Sequence, residues 1–411
     1  MQDSINPFSW GWKQELFSLW QQEVSSLKLQ PDISLSLIPA RITAKNHHKY
    51  DIVCPDFSSI TGFLPDQKTS GFFYQVPVQG SFEYSLEDES SYPVTGDWVM
   101  IQIEGTVLRI KKVLPRMTNL SRGRAGNTSA EQVLASNIDT LFIVNALDGG
   151  RNFLPSMIER ALILAGHSGS QAHIILNKAD LASGEYKEEV LHECEISFPS
   201  IPCTLVSAKT GEGMDVLNSY YQAGTTIGML GKSGMGKSAL VNALGKCRYG
   251  SEGERAGISN TADSHVHSLN ENAVLEGEVR QSDLRGRHTT TSSRLYRLSS
   301  GLLIIDSPGI RELKLWGTED DIEESFADIA SLSAGCRFSD CTHTGEPGCS
   351  VQEALESGIL EQKRYLRYLE LSREIAFLET RTSENARRNE ERKWKQISKF
   401  QKSLKKERGR Y

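Results

Sequence analysis

The pattern of apolar and polar positions changes character several times along the chain. In residues 1 to 30, Phe8, Trp12, Leu16, Leu19, Trp20 and Val24 recur at helical spacing before Pro31 stops the pattern. This predicts a short amphipathic helix packed on its neighbour. From Ile33 to about Leu114, short β-type runs such as ISLSLIPARIT, YDIVC, GDWVMIQI and TVLRIKKVL alternate with Gly, Pro and Asn turns, the texture of a small all-β barrel. From NIDTLFIVNAL onward, apolar runs at 140 to 147, 172 to 177, 203 to 207, 226 to 231 and 302 to 306 alternate with helical stretches, as in a parallel α/β sheet. After about Leu315 the strands end, a Cys/His cluster follows, and the last fifty residues are helix-forming and highly charged. Residues 245 to 288, rich in Gly, Ser, Asn and His, have no clear period and read as a long mobile loop. The predicted organisation is a helical extension over 1–32, a barrel over 33–117, an α/β domain over 118–315 and a C-terminal domain over 316–411.

Composition narrows this picture. A chain of 411 residues exceeds one typical domain and supplies ample core. It has no uninterrupted apolar run of about 18 residues to span a bilayer, and its N-terminus lacks an export signal, so a soluble cytoplasmic protein without a membrane partner is expected. Seven cysteines, three of them between 336 and 349, suit a reducing compartment with a local metal site better than a disulfide framework. Cys54, Cys194, Cys203 and Cys247 read as buried small hydrophobes. The net charge of −6 hides an asymmetry, because Arg387 to Arg410 carries eleven Lys or Arg against three Glu. A basic arm on an acidic body points to nucleic-acid contact.

The chemistry concentrates in short motifs. GKSGMGKSA comprises Gly231, Lys232, Ser233, Gly234, Met235, Gly236, Lys237, Ser238 and Ala239, and matches G-x-x-x-x-G-K-[ST] between a strand and a helix. Its glycines let backbone N–H groups wrap phosphate oxygens at a positive helix end, Lys237 adds a charge, and Ser238 can ligate Mg2+. The base reader is Asn177, Lys178 and Asp180 in LNKADL, since an aspartate can accept from both N1–H and the exocyclic amine of guanine. Ser207, Ala208 and Lys209 form SAK after another strand and would set a backbone N–H near the guanine oxygen. In LLIIDSPG, Asp306 can hold Mg2+ through water and Gly309 can donate its N–H to the γ-phosphate. In RGRHTTT, residues 285 to 291, a threonine completes the Mg2+ shell; Thr289 and Thr290 are the favoured candidates. Ras-like GTPases run from phosphate loop to switch threonine, D-x-x-G, N-K-x-D and S-A-K. Here N-K-x-D and S-A-K come first, so the order is circularly permuted. Cys336, Cys341, His343 and Cys349 form C-x4-C-x-H-x5-C, a closed Cys3His set expected to hold one structural Zn2+.

Taken together, GDWV, LPR, EQVLASNIDT, LNKADL, GKSGMGKS, RGRHTTT, DSPGIRE and the Cys/His cluster resemble the family of ribosome small-subunit-dependent GTPases, RsgA or YjeQ. The resemblance covers about residues 33 to 370. It implies an OB-fold N-terminal domain, a circularly permuted P-loop GTPase and a zinc-binding helical domain. The implied activity is late maturation of the small ribosomal subunit, with rRNA contact and GTP hydrolysis to GDP stimulated by that subunit. A monomer is expected. Ras-type switches carry a water-orienting glutamine after D-x-x-G, but here that residue is Ile310. His288 is therefore the candidate to position the water, and slow intrinsic turnover is expected. The departures from the family are the long stretch between phosphate loop and RGRHTTT and the long basic tail.

Overall fold

The computed structural model describes residues 5–26, 37–46, 48–58, 60, 70–86, 89–104, 107–123, 131–149, 153–246, 293–306, 318–343 and 345–376. Most of the segment read as a long loop, RGRHTTT with His288, Thr289 and Thr290, the D-x-P-G glycine Gly309, Cys247 and the basic tail lie outside these residues. The chain divides into two compact units, residues 1–121 with 133–313 and residues 122–132 with 314–411.

The first unit opens with a 3-10 turn, Phe8–Trp10, and the helix Gln14–Ser26. Of the predicted stripe, Leu16 and Trp20 are buried on the helix and Trp12 just before it, whereas Phe8, in the 3-10 turn, is exposed. Five strands follow: β1 Leu37–Asn46, β2 Lys49–Cys54, β3 Gly71–Pro77, β4 Trp98–Glu104 and β5 Val107–Val113. They pair antiparallel as β3-β2-β1-β4-β5. An isolated parallel bridge between Val78 and Ile110 brings the end of β3 against β5, so the ribbon curls onto itself. Ile42, Tyr50, Ile52, Val99, Ile101 and Ile110 fill its interior, the inward half of the alternation expected of such strands.

Strands β6 Asn119–Gly123 and β7 Glu131–Ser136 form a separate two-stranded ribbon. Beyond it β8 Thr140–Ala146, β9 Gln171–Asn177, β10 Cys203–Leu205, β11 Thr226–Leu230 and β13 Leu303–Asp306 coincide with the predicted apolar runs. They are parallel, in the order β10-β9-β8-β11-β13. β8 and β11 are buried at every position, as expected of strands covered on both faces. Four strands, β3, β6, β7 and β12, fall outside the runs singled out by pattern. β3 exposes Phe72, Tyr74 and Gln75, and β12 Arg294–Arg297 buries only Leu295. β12 is antiparallel to β13 and, at Ala44↔Arg294, to β1. One sheet thus continues from the barrel into the α/β layer.

Motifs with no assigned chemistry turn out to hold the first unit together. Asp97 of GDWV is wholly buried and accepts from Arg116 of LPR at 2.9 and 3.0 Å, from the Val94 N–H at 2.8 Å and from the Ser136 hydroxyl. The Arg116 fork also donates to the Ser90 and Tyr92 carbonyls at 2.7 and 2.8 Å. Gly96 has φ +97, and a Cβ there would run into the Ser136 carbonyl; no other residue fits. Arg41, 1% exposed, donates to the carbonyls of Trp10 (2.6 Å), Gly96 (3.2 Å) and Asn137 (3.0 Å) and to the Thr226 hydroxyl (3.0 Å). Burial pulls its pKa down to about 10, with Asp139 and Asp97 opposing. The guanidinium therefore stays charged and satisfied at neutral pH, which is the condition for burying it.

The second unit contains the helices Glu319–Ser325, Ala327–Ser333 and Ser350–Glu356 and a helix over residues 362–376. Thr318 starts the first of these with a capping box to Asp321. Arg364 makes a bidentate pair with Asp328, both contacts 2.9 Å, and lies 4.4 Å over the Phe326 ring. Among the described residues no helix is long and apolar enough to cross a membrane.

His173 of β9 generates a pH dependence. It is 1% exposed, with Nδ1 2.6 Å from the Tyr221 hydroxyl and Nε2 2.8 Å from the Thr204 hydroxyl. Burial lowers its pKa to about 4. Above the unfolded value of about 6.5 neither state is protonated; as pH falls toward 4 the unfolded chain takes up a proton that the folded one refuses. Stability is then lost over that interval, by on the order of 3 kcal/mol. His173→Gln is expected to be less stable at neutral pH yet to show a flatter urea midpoint between pH 6.5 and 4. An unchanged slope would place the acid sensitivity elsewhere.

Candidate functional site

Parallel strands end together, so the loops that leave β8, β9, β10, β11 and β13 share one sheet edge. The register fixes this: Ala146 lies across from Asn177, Leu205 from Leu176, Leu230 from Ile143 and Gly228 from Ile305. Open α/β sheets bind ligands at that carboxyl end. N-K-x-D, S-A-K, the phosphate-loop segment and Asp306 sit there in spite of their inverted order in the chain.

The phosphate-loop segment follows β11 and leads into the helix Lys237–Lys246. Gly231 comes so near β8 that a Cβ would lie 2.7 Å from the Val144 carbonyl oxygen. Gly236 has φ +87, and a Cβ there would strike the Asn177 amide nitrogen. Met235 is wholly buried, and its sulfur accepts from the Lys232 N–H at 3.1 Å. Lys232, Ser233 and Gly234 are exposed at the rim. The Leu240 N–H closes the first helical turn onto the Gly236 carbonyl at 2.9 Å. The amides of Lys237, Ser238 and Ala239 therefore precede the first turn, where an anion is favoured. Lys237 Nζ donates to the loop's own carbonyls, Gly231 at 2.6 Å and Lys232 at 2.9 Å. A cation is thereby poised across the loop.

Asn177 joins the pieces. It ends β9, is 2% exposed, and donates through Nδ2 to the Met235 carbonyl at 2.9 Å. Its Oδ1 accepts the Ala208 N–H at 3.2 Å. One amide thus bonds the phosphate-loop segment on one side and SAK on the other. Asp180 is held from the same direction: Ser207 Oγ donates to its Oδ1 at 2.6 Å, and the Thr210 N–H donates to Ser207 Oγ at 3.1 Å. Asp180 Oδ2 and the second lone pair of Oδ1 are left for a donor pair such as a guanine edge. Lys209 is exposed beside them.

Lys178 adopts the left-handed conformation, φ +61, and its ammonium pairs with Asp148 at 2.8 Å. Asp148 is a residue that motif reading passes over. Its signal in the sequence is an acidic residue two positions beyond the end of a buried strand, at the edge where the site forms. Asp306 closes β13 with an exposed side chain. With the half-buried Ser238 it offers hard oxygen donors of the kind Mg2+ takes. His288, Thr289, Thr290 and Gly309 are not among the described residues.

The second unit gathers Cys336, Cys341, His343 and Cys349, whose ligand atoms all lie within 4.8 Å of one another. His343 Nδ1 is 3.5 Å from Cys336 Sγ and 3.4 Å from Cys349 Sγ. Its Nε2 is 3.0 Å from the Ser333 hydroxyl, which itself donates to the Ile329 carbonyl. Nε2 therefore carries the proton and Nδ1 presents its lone pair to the sulfurs, the orientation that a second-shell partner imposes on a metal-binding histidine. His343 has φ +60, and its carbonyl is tied down by the Tyr365 hydroxyl at 2.7 Å and by the Gln352 amide. Burial raises the Cys336 thiol, but N–H groups of Val351 and Ser350 and the thiols of Cys349 and Cys341 bring its pKa below the ordinary value. Burial and the neighbouring thiols push Cys341 the other way, up to about 11, so without a cation the three sulfurs do not all ionise together. The donor set thus suits a soft divalent metal.

The Asn177 bridge makes a direct prediction. Asn177→Ala takes the partner from the buried Met235 carbonyl contact, at about 1–3 kcal/mol, and from the part-buried Ala208 N–H. Its thermal unfolding should fall below wild type by far more than that of Lys209→Ala at the exposed rim, and equal melting of the two would refute the bridging role.

Comparison with known proteins agrees with this geometry. The family described as RsgA GTPase matches residues 113–316. The chain is 35% identical over 366 residues to small ribosomal subunit biogenesis GTPase RsgA 1 of Oceanobacillus iheyensis, covering 88% of this chain and 92% of that one. It is 40% identical over 356 residues to the RsgA of Xanthomonas axonopodis pv. citri, covering 85% of each, and 33% identical over 407 residues to that of Opitutus terrae, covering 96% and 99%. Among solved structures it resembles YjeQ from Thermotoga maritima, with a TM-score of 0.56 and 22% identity over 83% of this chain and 99% of that one. It also resembles YloQ, described as a circularly permuted GTPase, with a TM-score of 0.53 and 22% identity over 83% and 95%. The permuted fold and a likeness of a third or more of all residues over 85 to 96% of its length place the chain in the RsgA GTPase family.

Proposed function

We propose that this chain binds GTP at the shared sheet edge, hydrolyses it to GDP and phosphate, and acts in biogenesis of the small ribosomal subunit, the role carried in the names of its relatives. The observation that carries the reading is the Asn177 amide, which bonds the candidate base-reading and phosphate-binding segments to each other. In this reading Asp180, held by Ser207, takes the N1–H and exocyclic amine of guanine, the Ala208 N–H approaches the guanine oxygen, and Asn177, Lys178 and Lys209 frame the base. Gly231, Lys232, Ser233, Gly234, Met235 and Gly236 wrap the phosphates with the amides of Lys237, Ser238 and Ala239. Lys237 gives up its two carbonyls for the β- and γ-oxygens.

Ser238 and Asp306 would hold Mg2+, with Thr289 or Thr290 completing the set, and the bound ion would offset charge on the β- and γ-phosphates. Gly309 donates its N–H to the γ-phosphate. Ile310 cannot hydrogen-bond to a water, so His288 positions the nucleophile; turnover is slow until the small subunit orders that histidine. Residues 33–117 act as an OB-fold that docks on rRNA, a role its curled antiparallel ribbon suits. Residues 118–315 form the GTPase domain. Residues 316–411, stabilised by one Zn2+ on Cys336, Cys341, His343 and Cys349, add a second contact through the basic tail. The chain works as a cytoplasmic monomer, preceded by the helical extension over 1–32.

Three measurements test this. GTP turnover should rise when purified small subunits are added, and His288→Ala should lose the rise with little change in nucleotide affinity. A turnover rate indifferent to subunits at every concentration would sink the ribosomal role. Asp180→Asn should weaken GTP by about tenfold to a hundredfold, the cost of one charged hydrogen-bond set, while ATP binding stays as poor as before. Equal GTP affinity would assign the base contact elsewhere. Metal analysis should find one zinc per chain, and Cys349→Ser should lower both zinc content and the protease resistance of residues 318–376; full resistance without metal would count against a structural zinc.

A further inference from the structure

We propose that the turn Val94–Asp97 couples the barrel to the nucleotide-binding edge, with Thr95 as its positioning residue; the inference rests on the nucleotide site read above. The Thr95 side chain, 1% exposed, donates its hydroxyl proton to the Ser293 carbonyl at 2.9 Å. Ser293 immediately precedes β12, and RGRHTTT ends two residues earlier in the sequence. The register is what gives this bond its reach. Arg294 lies across from Asp306 on one side and from Ala44 of the barrel on the other. Between the candidate Mg2+ carboxylate and the barrel there is thus a single strand.

The same turn also touches β13. A Cβ at Gly96 would stand 3.0 Å from Ile305 Cδ1, one residue before Asp306. The barrel side is fixed to the turn by the Gly96 N–H on the Ile42 carbonyl at 2.9 Å and the Ile42 N–H on the Asp97 carbonyl at 2.8 Å. β1 shifts register between Ile42 and Ala44, which is where it takes β12; a bulge at this point loosens the ladder and lets the strand bend. Ser293 Oγ is shielded from water and has no hydrogen-bond partner among the described residues. An unpaired hydroxyl at the joint costs the present arrangement stability and narrows its advantage over a shifted one in which that group is paired. The joint therefore has the features of an element with two arrangements: a thin ladder, a bulge and an unsatisfied group, gripped by one hydroxyl. A ligand that favours one position of Asp306 biases the position of β1, and a surface that grips the barrel biases Asp306 by the same factor.

Amide hydrogen exchange over β1, measured on the full chain, tests the coupling. The two states are GDP and a GTP analogue whose β,γ-bridging oxygen is replaced by NH. In wild type and in Thr95→Ser, which keeps the hydroxyl, exchange in residues 37–46 is expected to differ between the nucleotides by about fivefold or more. In Thr95→Val, or in Thr95→Ala should the valine variant fold poorly, the difference is expected to collapse while affinity for each nucleotide stays as in wild type. Nucleotide-independent exchange in wild type, or an equal nucleotide difference without the hydroxyl, would overturn the coupling. Failure of either nucleotide to bind wild type would overturn the site reading along with it, whereas binding without an exchange response overturns the coupling alone.

Discussion

All five strands from β10 to β13 in the parallel layer run the same way, and the site depends on that constraint more than on any single residue. Their carboxyl ends coincide, so the chain is free to visit them in any order. A motif that comes first in sequence and one that comes last still meet at one edge. The amide of Asn177 then converts nearness into a fixed distance, because a buried polar group must be bonded on each face or lose stability. Its two bonds set how far the candidate base-reading loop stands from the candidate phosphate-binding one.

The same rule explains residues that have no nucleotide to touch. The buried Asp97 and half-buried Arg116 form a pair whose further bonds go to backbone groups of the segment before β4 and to the Ser136 hydroxyl, so the pair fixes chain path more than it adds net attraction. Arg41 is the more extreme case. Burial lowers its pKa, yet four acceptors from the N-terminal turn, the barrel and the α/β layer keep it charged and satisfied. Replacing such a group by an apolar one takes the donor from four acceptors at once, of which the Gly96 carbonyl keeps the Asn137 amide, which is why segments far apart in sequence become interdependent around it.

Much of this was legible in the sequence, and what escaped has a common cause. β8, β11 and β13 are apolar along most of their length and β9 through Ile174, Ile175 and Leu176, and a strand buried on both faces writes itself as an unbroken run. The candidate phosphate loop, the candidate base reader and the Cys/His cluster were legible because the chemistry they are read for demands particular residues at fixed spacing. β3 and β12 are not legible that way, since each buries few side chains, and β12 owes its pairing with β1 to a strand distant in sequence. Asp148 escaped because a lone carboxylate after a strand has no spacing to betray it; only the fold shows Lys178 within 2.8 Å. Arg41 escaped likewise, because a basic residue in a strand reads as a solvent-facing position until four acceptors are found around it.

β12 has a consequence that permutation alone does not require. An antiparallel strand at the end of a parallel layer has an open edge, and exposed edges invite association with other chains. Here the edge is covered by β1 of the barrel, at the end nearest Asp306. Covering it elsewhere along β12 would have protected the sheet equally well while leaving the barrel indifferent to the nucleotide. Pairing at Arg294 instead ties two tasks to one ladder step, because the contact that covers the edge is also the one that joins the barrel to the candidate magnesium carboxylate. Proteins that join domains by a flexible linker keep such functions separate; continuity of the sheet makes them inseparable in this chain.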